Sequence, residues 1–155
     1  MAISKRIPER LIFPKGEKIS GGGIANDHFT GTAWLQVLVP DDMTFHCPAF
    51  NVTFEPGARN NWHKHPGGQI LLVTGGRGYS QDEGRKVQVL HKGDIVKVAP
   101  GAKHWHGAAP DSWFSLIAIM PNSQKGDAEW LEPVADEEYP VINPGADARS
   151  EGEHT

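Results

Sequence analysis

Cysteine is nearly absent from this chain: Cys47 is the single one in 155 residues. No internal disulfide can form, and a reducing compartment fits that usage. Long apolar runs are also missing. Residues 1–13 alternate charged and apolar side chains, so neither a signal peptide nor a membrane span is expected, and a cytoplasmic protein is the default reading. Basic clusters are scarce, with Lys5-Arg6 the only short one, and the formal net charge is -4. Nucleic acid is therefore not an expected partner. What the chain has in quantity is glycine and proline, 18 and 12 residues, placed between short apolar runs. That placement favours strands and turns over helices.

The length suits one domain with its own core. Residues 1–27 read as an arm broken by Gly21-Gly22-Gly23, with Ile7, Leu11, Ile12 and Phe13 expected to lie on the domain or on a neighbouring subunit. Residues 28–140 form the domain, and residues 141–155 read as an acidic, disordered tail. Strands are expected at 32–39, 50–54, 69–73, around Tyr79, and at 86–90, 95–98 and 113–120, with a turn at Gly75-Gly76. A short helix is expected near residues 135–138. Short, glycine-ended strands at near-regular spacing indicate an all-β antiparallel sandwich or barrel.

Within that frame, residues 57–106 carry an unusual density of ligating side chains. His63 and His65 stand two apart, so an extended chain turns both imidazoles to one face. Gln69 follows just ahead of the apolar run Ile70-Leu71-Leu72-Val73, and His104 arrives after the turn Ala99-Pro100-Gly101. Three neutral nitrogens and an amide oxygen suit a divalent transition metal. His106, two beyond His104, enters the same cavity if the strand stays extended. As a non-ligand it is a natural proton carrier, the alternative being a rim histidine bonded to a carbonyl. Phe50, Val52 and Asn60 are candidates for the wall that binds substrate, with plain core the competing reading for Phe50 and Val52. Arg59 reads as a solvated or ion-paired side chain. His28, His46, His91 and His154 have no partner at ligand spacing, Trp34, Trp62, Trp113 and Trp130 read as packing, and Trp105 should point away from the histidines.

The spacing resembles the two motifs of the cupin superfamily. The first is Gly57, five residues, His63-Lys64-His65, three residues, Gln69, closed by Gly75 or Gly76. The second runs from Gly93 through Pro100-Gly101 to His104. Ala99 stands where a proline is common, and Gln69 where most cupins have glutamate. Longer segments are similar to a subgroup of small single-domain bacterial cupins that includes manganese-dependent hydroxynitrile lyases and carboxymuconolactone decarboxylase-like proteins. They are FTGTA at 29–33, VTFEPGAR at 52–59, WHKHP at 62–66, GQILLVT at 68–74, KHWHGAAP at 103–110, WLEPV at 130–134 and DEEY at 136–139.

The resemblance implies a double-stranded β-helix, the cupin jelly roll, with one divalent ion on His63, His65, Gln69 and His104. Manganese comes first, and iron, zinc, nickel and cobalt are the other ions considered. A neutral glutamine leaves the ion at +2 where a glutamate would leave +1, which favours anionic ligands and developing oxyanions. The implied function is a lyase acting on a small oxygenated substrate, with His106 moving the proton, in a homodimer or higher oligomer. A metal-dependent dioxygenase and a non-catalytic small-ligand binder are the alternatives. Two positions depart from the lyases: Leu116 replaces a pocket histidine of the last strand, and Phe50 is bulkier than the residue usual at the pocket wall.

Overall fold

The computed structural model describes residues 27–140 and the backbone of residues 17–20. The expectations for Ile7, Leu11, Ile12 and Phe13, and for the tail beyond residue 140, lie outside the described residues. Twelve strands are present among the described residues: β1 (Glu17–Ser20), β2 (Phe29–Thr30), β3 (Thr32–Val39), β4 (Ala49–Phe54), β5 (Arg59–Asn60), β6 (His63–Lys64), β7 (Gln69–Asp82), β8 (Gln88–His91), β9 (Ile95–Val98), β10 (His104–Ala108), β11 (Phe114–Ile119) and β12 (Glu129–Trp130). All pairings are antiparallel. The order β1-β3-β4-β11-β7-β10-β5-β2, with β9 and β8 also on β7 and with β6 on β10, wraps two faces into the all-β barrel that the strand spacing indicated.

Alternation within the strands explains the core. Ala33, Val52, Phe54, Leu71, Val73, Ala108, Phe114, Leu116 and Ala118 are all buried in one cluster, and Leu35, Phe50 and Met120 pack against it. Leu35, Val52, Leu116 and Val73 lie in register across four neighbouring strands. A one-residue slip in any of them would send this set to the outer face, so the register is strongly specified.

Two expectations change. The turn at Gly75-Gly76 is not a turn but part of the 14-residue β7. The strand bulges there: Val73 faces Leu116 and Gly75 faces Ser115, leaving Thr74 unopposed. This bulge lets the first half of β7 pair with β9 and β11 and the second half with β10 and β8. Gly76 makes the bend possible, because its φ is +74° and any side chain would run into the Trp113 carbonyl. The helix near residues 135–138 is a single turn instead, with the amides of Glu138 and Tyr139 both donating to the Ala135 carbonyl. Among the described residues the only helical piece is a 3-10 turn at Ser123–Lys125.

Candidate metal centre

Strand pairing brings the histidines together. His104 faces His63 across β10 and β6, and β10 lies on the second half of β7. The chain between β6 and β7 closes in a tight turn where Gly68, at φ +83°, donates to the His65 carbonyl at 3.0 Å. Gly101 donates to the same carbonyl at 2.9 Å, so the turns of both motifs are tied at His65. The His63 ring centroid lies 4.9 Å from that of His65, 4.2 Å from His104 and 5.6 Å from His106. All four rings are buried, as is Gln69. Nitrogens of His63, His104 and His106 lie within 4.8 Å of one another, a trio that could hold a metal ion.

The donor chemistry sharpens that statement. His63 Nδ1 lies 2.7 Å from the Asn61 carbonyl, which only accepts, so Nδ1 carries the hydrogen and Nε2 is a bare lone pair. His104 Nδ1 lies 3.0 Å from the Ala102 carbonyl, and the same logic leaves its Nε2 bare. Yet His104 Nε2 sits 2.9 Å from Gln69 Oε1, another acceptor. Two lone pairs at that distance repel unless something positive is shared between them. Donors at about 2.1 Å from an ion and at right angles lie about 3 Å apart. His65 Nε2 is buried without a protein partner. The donors of His63, His104 and Gln69 fit a divalent cation, whereas His65 lies outside the trio of close nitrogens.

Electrostatics keeps those lone pairs available. Burial, and then the neighbouring histidines, hold His63 and His106 well below the usual imidazole range. Burial and His104 push His65 down to about 4. Burial also lowers His104, opposed by its bond to Ala102 and by Asp82. All four rings are neutral at pH 7, the form a metal requires.

The remaining sequence-derived candidates take distinct places. His106 Nε2 lies 2.9 Å from Asn60 Nδ2, and its Nδ1 is buried with no protein partner. Asn60 is itself buried, and its Oδ1 accepts from the His106 backbone amide. Phe50 lies between Val37 and Ala118 in register, whereas Val52 is in the core cluster. Met120 Sδ approaches Gln69 Nε2 at 3.9 Å. Leu116 is fully buried beside Val52. Arg59 is ion-paired: its guanidinium meets Asp136 at 2.8 Å and lies 4.4 Å over the Tyr139 ring.

Two residues at the site escaped the sequence reading. Trp130 stacks on His63 with centroids 4.6 Å apart, and His28 stacks on Trp130 at 4.3 Å. Asn61 organises this edge by donating to the carbonyls of Asp27 and Leu131. Local spacing carries no signal for either ring, because only the β12–β6 pairing brings Trp130 to His63.

Comparison with known proteins agrees with this architecture. The family model described as "Cupin domain" matches residues 50–120. The chain is 45% identical over 124 residues to an (R)-mandelonitrile lyase of Granulicella tundricola, covering 80% of this chain and 94% of that protein. A crystal structure of a cupin-like protein from Thermotoga maritima superposes with a TM-score of 0.78 at 47% identity, over 83% of this chain and 93% of that one. A cupin 2 conserved barrel domain protein from Rhodopseudomonas palustris shares the fold at a TM-score of 0.61 and 14% identity, over 78% of this chain and 79% of that one.

Proposed function

The chain belongs to the cupin family, and from that premise we propose that it is a metal-dependent lyase acting on a small oxygenated substrate, a cyanohydrin being the first to test. The observation that carries the reading is the buried donor set. His63 Nε2, Gln69 Oε1 and His104 Nε2 are lone pairs for which the protein supplies no hydrogen, and His65 Nε2 is buried without a partner. Similarity to the mandelonitrile lyase supports the reaction class.

His63, His65, Gln69 and His104 would hold the ion, with manganese the first candidate. Once bound, it would polarise the substrate's hydroxyl or carbonyl oxygen and stabilise negative charge there. The residues do the rest. Gln69 adds no charge, so the site keeps its full attraction for an anion. Met120 beside Gln69, with Phe50 proposed alongside it, would offer an apolar wall, as a small organic ligand requires. His106 meets a bound molecule at Nδ1, the ring nitrogen without a protein partner. Cleaving a cyanohydrin removes the hydroxyl proton, breaks the carbon–carbon bond with its electron pair leaving on cyanide, and delivers a proton to the cyanide. His106 is the one neutral ring at the centre left outside the proposed ligand set and hydrogen-bonds the departing cyanide in this reading, while the hydroxyl proton passes to the cyanide through solvent.

The test is elemental analysis of protein purified without added metal, followed by aldehyde release from (R)-mandelonitrile with manganese, iron, zinc, nickel or cobalt loaded. Metal-dependent release of benzaldehyde is expected. No release above the buffer rate with any of the five ions would overturn the reading, and oxygen uptake with iron would point to a dioxygenase.

A further inference from the structure

His106 sits beside metal-binding nitrogens, yet its hydrogen bonds give it a fixed and different role. Asn60 Oδ1 accepts the backbone N–H of His106 at 2.9 Å, and a backbone N–H is always a donor. The orientation of the Asn60 amide is thereby settled: Nδ2, which only donates, is the atom turned to the imidazole. It lies 2.9 Å from His106 Nε2. A hydrogen on Nε2 would face the hydrogens of Nδ2. The Nε2–H tautomer and the imidazolium are both excluded by that contact, and the only form left carries its hydrogen on Nδ1.

We infer that Asn60 locks His106 in the Nδ1–H tautomer, so that His106 is a hydrogen-bond donor to a bound molecule and is kept out of the metal's ligand set. Either ring nitrogen leads to the same result. Nε2 has its lone pair occupied by Asn60, and Nδ1 has its lone pair replaced by a hydrogen. Nδ1 is buried without a partner, although an unsatisfied buried N–H is costly. The ring is held in place by an edge-on contact with Phe54 at 5.8 Å and by parallel packing against His104 at 5.9 Å. Asn60, on β5 next to the β10 strand that carries His106, is a positioning residue rather than part of the pocket wall.

A chemical class follows for what meets His106. The group must accept a hydrogen bond, as a nitrile nitrogen, a carbonyl oxygen or a carboxylate does. Under the lyase reading, the departing cyanide gathers negative charge and is such an acceptor, so a donor fixed before the reaction stabilises it. The tautomer itself does not depend on that reading.

The experiment is ring 15N–1H correlation NMR on zinc-loaded, 15N-histidine-labelled full-length chain, with His106→Gln identifying the His106 signals. The expected parent pattern is a protonated Nδ1 and a bare Nε2. Asn60→Asp keeps an acceptor for the His106 amide but removes the donor, so Nε2 should gain a hydrogen. A hydrogen on Nε2 of the parent overturns the inference, as does a pattern unchanged in Asn60→Asp. Both spectra are read without substrate. A failed cyanohydrin assay would therefore remove the lyase reading and leave the tautomer standing, and the reverse outcome would do the opposite.

Discussion

On the inner side of β10 lie His104 and His106; on its outer side lies Trp105. The two sides are made of consecutive residues and are equally buried, but they treat polar atoms differently. Outside, Trp105 Nε1 donates to Gln81 at 2.8 Å, the Tyr139 hydroxyl donates to the Ala108 carbonyl at 2.5 Å, and Arg59 donates to Val134 and Asp136. The bonds of Tyr139 and Arg59 tie the segment at 134–139 to the barrel around Trp62, Tyr79, Val89 and Trp105. Inside, lone pairs of His104 and Gln69 face one another, and His65 Nε2 and His106 Nδ1 have no protein partner. A folded chain tolerates such an arrangement at a functional site and resolves it with a ligand. The outer side carries these paired polar atoms, and the inner side keeps atoms that the protein leaves for a ligand to meet under the proposed function.

The largest effects should come from the inner side. His65→Ala is expected to bring bound metal to background in elemental analysis and to abolish turnover. His106→Ala should keep the metal, with affinity reduced by no more than about 100-fold, the upper end for groups outside a coordination shell. Metal loss in His106→Ala with retention in His65→Ala would reverse the assignment of the two rings. Gln69→Glu should be next. A carboxylate lowers the net charge of the site by one, so metal should bind more tightly in chelator competition while turnover falls.

Acid should destabilise the metal-free protein through the same inner groups. His65 titrates at about 4 in the fold against 6.5 in an unfolded chain. The folded state binds fewer protons between those values. Stability is therefore full above pH 6.5 and falls as pH drops toward about 4, by up to about 1.4 kcal/mol per pH unit for this residue. His63, His104 and His106 are shifted in the same direction and add to the slope. Thermal unfolding of metal-stripped protein from pH 7.5 to pH 5 measures it, and a flat profile would contradict it. The smallest effect belongs to the outer side. Tyr139→Phe removes one hydrogen bond and should cost about 1 kcal/mol in denaturant unfolding with metal content unchanged.

Much of this could be read from residue order because the relevant signals are local. Period-two alternation placed Val52 and Phe54 together, and glycine and proline marked most strand ends. His63 and His65 fell on one side for the same reason. Gly75-Gly76 misled because glycine permits both a turn and a bulge. The choice was made by β11, whose Phe114 and Ser115 pair with that stretch and continue the strand. Residues 135–138 have helix-forming composition, but the anchoring of Arg59 on Val134 and Asp136 limits them to one turn. Arg59 was legible as an ion-pair former, though not its partner, 77 residues away.

By itself, the sequence determined an all-β chain with two histidine-bearing motifs in order, since strand periodicity and motif spacing are properties of neighbouring residues. Tertiary structure alone decided how those side chains differ. It set His104 against Gln69, Trp130 against His63, and Asn60 against His106. The physical reason is that an imidazole's role depends on which nitrogen holds its hydrogen. That choice is made by a carbonyl or an amide brought across from another part of the chain.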